Sequence, residues 1–354
     1  MTTATPVSPH EAVLHEALTG LTAKPQKTLP PWLFYDQRGS QLFEQITELP
    51  EYYLTRTERA LFATYAGDIL REFLTPGAPG TVPTSSPDPF TIAELGAGTA
   101  SKTGLLLHAA TRLQPELLYQ PIDVSASALD AADENLTATL PGLTVHPQVA
   151  NYITEPYQLT HPSIAPAHHG NGNGNGHSPT HRSRILALYI GSSIGNFSPE
   201  EANAILRRLR SHLQPGDALL LGADLAPSDH KPVATILAAY DDAAGITAAF
   251  NRNILRRLNR DLNADFNLDA FAHRARWNAA ESRIEMHLES LACQTVQIGG
   301  HRILFLEGET IHTENSYKFT DEALETLLTR SGFTPTRTFH DPTRSFALTL
   351  AHTL

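Results

Sequence analysis

Ile92-Ala93-Glu94-Leu95-Gly96-Ala97-Gly98-Thr99-Ala100-Ser101-Lys102-Thr103 decides the fold class of this 354-residue chain. The run reads as a short apolar strand, a glycine-rich turn and the start of a helix. Glycine lacks a Cβ, so such a turn lets the backbone come within contact distance of a ligand. Working outward, four further apolar stretches read as buried strands, at 117–122, 143–149, 185–190 and 218–222, with helical stretches between several of them. Strands alternating with helices predict a parallel sheet covered on both faces, with ligands at the carboxyl ends of its strands. Ser198-Pro199-Glu200-Glu201 starts a helix: Ser198 caps it, Pro199 suits the first helical position and Glu201 completes a capping box. That helix runs to about His212, and Pro215-Gly216 breaks the chain before the next strand. Thr320-Asp321-Glu322 opens another helix that stops at Gly332, and an apolar strand at 345–350 closes the chain.

Between about Pro227 and Thr310 the strand–helix rhythm is lost. Residues 237–262 read as mainly helical, and 283–288 and 292–298 as strands of a separate sheet. The first strand starts near residue 90, so a substantial segment precedes it. The expected architecture is α/β: a doubly wound domain (63–227 plus 317–354) and a second, α+β domain (10–62 plus 228–316) that closes a cleft over the strand ends and excludes water. Residues 161–184 interrupt the first domain. Gly170-Asn171-Gly172-Asn173-Gly174-Asn175-Gly176 cannot bury apolar surface and reads as a flexible surface insertion. His168, His169, His177 and His181 around it read as unbound loop histidines.

Hydrophobic residues make up 41% of the chain and charged residues 18%, enough for a packed core. A formal net charge of -11 argues against broad binding to a phosphate backbone, which needs clustered Lys and Arg. Cys293 is the only cysteine, so no internal disulfide forms, which suits a cytoplasmic protein. No apolar run follows a basic start at the N-terminus, and none is long enough for a membrane span. Neither H-E-x-x-H nor C-x-x-C occurs, so no metal is expected. Nothing in the pattern demands a partner subunit, and a monomer is expected.

Spacing separates the ligand classes that use a glycine turn. A dinucleotide fingerprint wants G-x-G-x-x-G and a P-loop wants G-x-x-x-x-G-K-[ST]; Ser101 stands where each requires a glycine. An acidic residue two before G-x-G, the pattern of S-adenosylmethionine-dependent methyltransferases, is met by Glu94, Gly96 and Gly98. Asp123 follows the second strand, where a carboxylate can accept both hydroxyls of a ribose. Gly191-Ser192-Ser193-Ile194-Gly195-Asn196-Phe197 follows the fourth, and its N–H groups and amide can orient a small polar substrate. In the polar run 308–318, an extended chain puts His312, Glu314 and Ser316 on one face. Glu314 with Ser316 could hold both nitrogens of an imidazole; a solvated strand edge accounts for the same spacing.

Longer motifs carry a resemblance. Phe34-Tyr35-Asp36, Gly39-Ser40, Leu49-Pro50-Glu51-Tyr52-Tyr53, Glu94 to Thr103, Pro121-Ile122-Asp123, Gly191 to Phe197, Ala239-Tyr240-Asp241-Asp242 and Thr313-Glu314-Asn315-Ser316 together resemble the histidine-specific Nα-methyltransferases of ergothioneine biosynthesis. The likeness runs from about Leu29 to the C-terminus, apart from the Gly-Asn insertion. It implies a class I methyltransferase domain joined to a substrate-recognition domain. It also implies S-adenosylmethionine as cofactor, S-adenosylhomocysteine as its product, and three methyl transfers to the α-amino group of L-histidine, giving hercynine. By position it implies that Tyr35, Gly96, Lys102 and Asp123 contact the cofactor, with Asn151 and Tyr152 flanking the adenine, where the family more often carries Asp-Phe. Tyr52, Gly191, Ser193, Asn196, Tyr240, Met286, Glu314 and Ser316 would line the histidine site. Asn196 and Tyr240 would hold the amino acid end, Glu314 and Ser316 the imidazole, and Tyr35 and Asn196 would act at the reacting amine. The competing readings are an N-methyltransferase for a tryptophan-derived amine and a P-loop nucleotide hydrolase.

Overall fold

The computed structural model describes residues 9–75, 89–162 and 183–353. They divide into two compact units, one comprising residues up to Arg56 with Gly195–Phe197 and Ala226–Lys318, the other Thr57–Ile194, Ser198–Leu225 and Phe319–Leu354.

The second unit is built on a sheet whose order is Thr334–His340, Phe346–His352, Ala218–Asp224, Arg184–Tyr189, Phe90–Leu95, Leu117–Asp123 and Leu143–Val145. The last five are parallel, and Phe346–His352 runs antiparallel to both its neighbours. Every residue of Phe90–Leu95 is buried, as both-face coverage requires. From this strand the chain steps outward through Leu117–Asp123 to Leu143–Val145, then returns to Arg184–Tyr189 on the other side. Right-handed crossovers place the helices of the two halves on opposite faces, so the sheet is doubly wound. Its order reverses between Phe90–Leu95 and Arg184–Tyr189, and a ligand crevice opens at the carboxyl ends of two such strands. Gly96 and Gly191 follow those ends.

Local chemistry sets several boundaries. The expected strand at 143–149 is two short pieces, Leu143–Val145 and Gln148–Val149, because Pro147 between them has no N–H for the ladder. The Ser198 capping box forms, with Glu201 N donating to Ser198 Oγ at 3.3 Å and Ser198 N to Glu201 Oε2 at 2.9 Å, and the helix spans Pro199–His212. Apart from its end residues, the Gly-Asn insertion lies outside the described residues, as do His168, His169, His177 and His181.

In the first unit, the antiparallel strands Phe271–Asn278, Arg283–Ser290 and Thr310–Tyr317 form a sheet, with Lys27–Thr28 added in parallel at its edge. Gln294–Ile298 pairs with His301–Phe305 in a separate hairpin. The helical stretch expected at 237–262 is two helices, Val233–Tyr240 and Ile246–Leu262. Gly245, at φ +73°, breaks it, and Asp242 caps the second helix by accepting from Ile246 N and Thr247 N. Both helices pack against the Phe271–Asn278 and Arg283–Ser290 strands. No helix among the described residues is long and apolar enough to cross a membrane.

Candidate active site

In the second unit, the turn after Phe90–Leu95 holds Gly96 at φ +69° and Gly98 at φ +53°. Gly96 N and Ala97 N both donate to Ile122 O, which fixes the turn beside the next strand. Gly98 N donates to Asp123 Oδ2 and Ser125 N to Asp123 Oδ1, each at 2.9 Å. Burial pushes the Asp123 carboxyl above the usual range, while these N–H groups pull it down. The Tyr152 ring faces Gly96, since a Cβ there would stand 3.6 Å from its Cε1. Asn151 is used locally: its Oδ1 accepts from Ile153 N at 3.0 Å. Glu94, the acidic residue of the glycine motif, is buried and ties strand to helix. Its Oε2 accepts from Thr103 Oγ1 at 2.7 Å and Tyr119 Oη at 2.5 Å. Burial still pushes its pKa up to about 7, against the pull of those two hydroxyls.

Across the switch point, Gly191 N donates to Glu58 Oε1 at 2.8 Å, and Glu58 Oε2 pairs with Lys102 Nζ at 2.7 Å. Glu58 is fully buried, and Gly222 leaves the space for it, since a Cβ there would lie 2.4 Å from Oε1. One carboxylate thus joins the loops that follow two strands. Ser193 Oγ donates to Ile190 O at 3.0 Å, and Asp224 N donates to Ser192 Oγ at 3.0 Å. Gly96, Asp123, Tyr152, Lys102 and Gly191 therefore gather at the carboxyl ends of adjacent strands. Left-handed glycines, a carboxylate and an aromatic face around one crevice fit a nucleoside-bearing cofactor. Sequence reading missed Glu58, one of three acids on the long helix Tyr53–Leu74, with no local motif to mark it.

In the first unit, Tyr240 Oη and Ser316 Oγ are 2.7 Å apart, and Lys318 Nζ donates to both at 2.9 Å. Glu314 lies across the strand pair from Met286, and Ser316 from Ile284. Glu314, Ser316, Met286 and Ile284 therefore share one face of the sheet. Burial pushes the Glu314 carboxyl up to about 8, with the Lys318 charge acting in the opposite direction. The Tyr52 ring is 6.2 Å from Tyr240 and 6.4 Å from Phe43, and Phe43 in turn is 5.9 Å from Tyr35. Tyr35 follows the short 3₁₀ turn Pro31–Phe34. Asn196, half-buried, ends the turn Ser193–Asn196 and belongs to this unit.

His312 does not share the face of Glu314 and Ser316. The register shifts between His312, opposite His287, and Glu314, opposite Met286. This β-bulge places one extra residue, Thr313, in the strand and sends His312 to the other face. There Glu285, His287 and His312 each bring a ligand atom within 4.8 Å of the others. The two imidazoles are stacked, with centroids 4.7 Å apart and planes inclined by 16°. A metal lies in the plane of each imidazole it binds, and stacked near-parallel planes do not meet at one ion. Glu285 is moreover held by Arg283 at 2.7 Å and Asn278 at 2.9 Å. The cluster is a hydrogen-bonded charge network.

A family model described as histidine-specific methyltransferase, SAM-dependent, matches residues 13–353. Histidine N-alpha-methyltransferase of Mycolicibacterium smegmatis is 39% identical to this chain, over 96% of this chain and 95% of that one. The protein of the same name from Mycobacterium tuberculosis is 36% identical, over 97% and 95%. L-tryptophan methyltransferase trpM of Psilocybe serbica is 26% identical, over 94% and 90%.

Proposed function

Since the chain belongs to the family of S-adenosylmethionine-dependent, histidine-specific methyltransferases, we propose that it methylates the α-amino group of L-histidine three times, giving hercynine for ergothioneine biosynthesis. The observation that carries this reading is the pairing of Glu314 and Ser316 on one face of a strand, with Ser316 at the buried Tyr240 hydroxyl. A carboxylate accepts the ring N–H and a hydroxyl serves the second nitrogen, which an indole ring does not possess. That favours histidine over a tryptophan-derived amine.

When bound, S-adenosylmethionine supplies an electrophilic methyl on a sulfonium, and S-adenosylhomocysteine is left. Gly96, Lys102, Asp123 and Tyr152 would hold it, with Asp123 on the ribose hydroxyls and Tyr152 and Asn151 at the adenine. Tyr52, Gly191 and Ser193 line the histidine site in this reading, with Met286 against the ring. Tyr240 and Asn196 hold the amino acid end. The protein needs to provide no nucleophile, because the substrate amine is one. Its task is alignment and exclusion of water, and such positioning is worth about 7–11 kcal/mol of barrier. The amine attacks as the neutral base, so each round sheds one proton. Tyr35 stands in a line of aromatic rings through Phe43 to Tyr52, and we assign its hydroxyl to the proton's exit and its face to the methylammonium that accumulates.

Mass spectrometry of L-histidine incubated with S-adenosylmethionine and the pure protein tests the reading. A gain of three methyl groups is expected. No gain, in protein that still binds S-adenosylhomocysteine, would refute histidine as substrate. Tyr35→Phe is expected to slow every transfer, and three transfers at unchanged rate would remove its hydroxyl from the proton's path.

A further inference from the structure

Lys318 is buried and immediately follows the strand that carries Glu314 and Ser316. Its backbone N–H donates to Ser282 O at 2.8 Å, which fixes where its side chain starts. Its Nζ is 2.9 Å from Ser316 Oγ and 2.9 Å from Tyr240 Oη, and those oxygens are 2.7 Å apart. The three atoms close a triangle, and the chemistry of each corner restricts the others.

An ammonium has donors and no acceptor, so each hydroxyl oxygen must spend a lone pair on Lys318. The short contact between the oxygens uses one hydroxyl proton. A phenol is the more acidic of the two hydroxyls, so Tyr240 donates and Ser316 Oγ accepts. Ser316 Oγ has then accepted from both Lys318 and Tyr240, and both its lone pairs are used. What it retains is its own O–H. Without the ammonium, the same oxygen keeps a lone pair and could either give or take a proton.

From this count we propose that Lys318 is a positioning residue that makes Ser316 a donor only, so that the ring pocket, with Glu314 as acceptor, selects the neutral imidazole over the imidazolium. The inference rests on the assignment of Glu314 and Ser316 to the ring under Proposed function. A neutral imidazole has one N–H, for Glu314, and one bare nitrogen, for the Ser316 O–H. An imidazolium would set an N–H against that O–H. The charge of Lys318 also opposes the rise in the Glu314 pKa, and so favours the carboxylate that accepts. Selection of the neutral ring matches the chemistry, because the α-amine loses its proton only where the ring is already neutral.

The test compares L-histidine with β-(1,2,4-triazol-3-yl)alanine, whose ring presents an N–H and bare nitrogens but stays unprotonated in mild acid. Dissociation constants for both are measured by calorimetry on the full chain saturated with S-adenosylhomocysteine, at pH 7.5 and 5.5. Taking their ratio removes whatever acts equally on both ligands, including changes at Glu314, Lys318, Tyr240, Tyr52 and His273, the ionisable groups packed around Ser316. In the wild type the ratio of the histidine to the triazole constant should rise about tenfold on acidification, since a group of pKa near 6.5 is about nine-tenths neutral at the higher pH and one-tenth at the lower. In Lys318→Met it should rise threefold or less, while Lys318→Arg, which keeps a donor, should stay near the wild type. Ser316→Ala should also lose the rise, and it carries the test should Lys318→Met fail to fold. A full tenfold rise in Lys318→Met, or in Ser316→Ala, overturns the proposal. A wild type that binds histidine with no rise overturns it too, and leaves the substrate reading standing. A wild type that binds neither compound refutes that reading instead.

Discussion

Substituting alanine for Gly191 probes the join between the two strand-end loops of the second unit. Gly191 sits at φ +75°, where a residue with a Cβ pays about 1–2 kcal/mol. That Cβ would also lie 2.9 Å from Lys102 Nζ, inside the 3.4 Å at which ordinary contact begins. The ammonium has little freedom to retreat, because it is 2.7 Å from Glu58 Oε2 and the Glu58 side chain is only 1% exposed. Removing one partner of a buried pair costs about 3–5 kcal/mol, and stretching it by a few tenths of an ångström a fraction of that, about 1–2 kcal/mol. Conformation and displacement together give a loss of about 2–4 kcal/mol for Gly191→Ala. Lys102→Ala removes the displacement but not the conformational cost. In that background the same substitution should cost only about 1–2 kcal/mol. Hydrogen exchange, read by mass spectrometry on peptides from the Arg184–Tyr189 strand, reports the stability of this unit without assuming that the whole chain unfolds in one step. Equal costs in both backgrounds would refute the steric argument, and a loss below about 0.5 kcal/mol would refute the conformational one as well.

Three further outcomes follow from buried charge and pocket chemistry. The Glu94 carboxyl is raised from 4.5 to about 7 in the folded chain, so unfolding releases a proton between those values, and the stability of the wild type relative to Glu94→Gln should fall by up to about 3 kcal/mol as pH rises through that window; parallel stability curves for the two proteins would exclude it. His287 is lowered from 6.5 to about 4, by burial first and by His312 second. The unfolded chain therefore takes up a proton there, and acid lability between pH 6.5 and 4 should shrink by about 1–3 kcal/mol in His287→Gln, measured by the same exchange method. Glu314→Ala should lower kcat/KM for L-histidine by about 10²-fold or more, and that for a bulkier aromatic amino acid without a ring N–H, such as phenylalanine, far less, because the histidine ring is left with an unpaired N–H and the phenyl ring has none to lose; an equal loss on both substrates would sink the assignment.

The parts of the fold that a sequence can express locally were legible. The Glu94-Leu95-Gly96-Ala97-Gly98 turn, the Ser198 capping box and the buried strand Phe90–Leu95 each follow from residues adjacent in the chain. Breaks that depend on one residue were blurred. Pro147 divides a strand, and Gly245 with Asp242 divides a helix, although the surrounding apolar pattern runs straight through both. Glu58 was invisible for a different reason. Its partners, Lys102 and Gly191, lie 44 and 133 residues away, and nothing in the helix around it shows that its carboxylate meets them.

The strand Thr310–Tyr317 shows how little sequence is needed to divide two tasks. Plain alternation assigns His312, Glu314 and Ser316 to one face, and one residue in excess at Thr313 cancels that assignment for His312 alone. Thr313 is held in this place, since its Oγ1 donates to Met286 O at 3.0 Å and meets Asn251 Oδ1 at 2.8 Å, both buried. The bulge therefore has its own side-chain anchor. Beyond it, Glu314 lies opposite Met286 with a carboxyl that burial makes reluctant to ionise, while before it His312 stacks on His287 beside an ionised Glu285. Were His312 on the face of Glu314, its imidazole would offer that carboxylate an internal partner of the same chemistry as the proposed substrate ring. By turning His312 away, the bulge leaves Glu314 without that internal partner, as the proposed ring site requires.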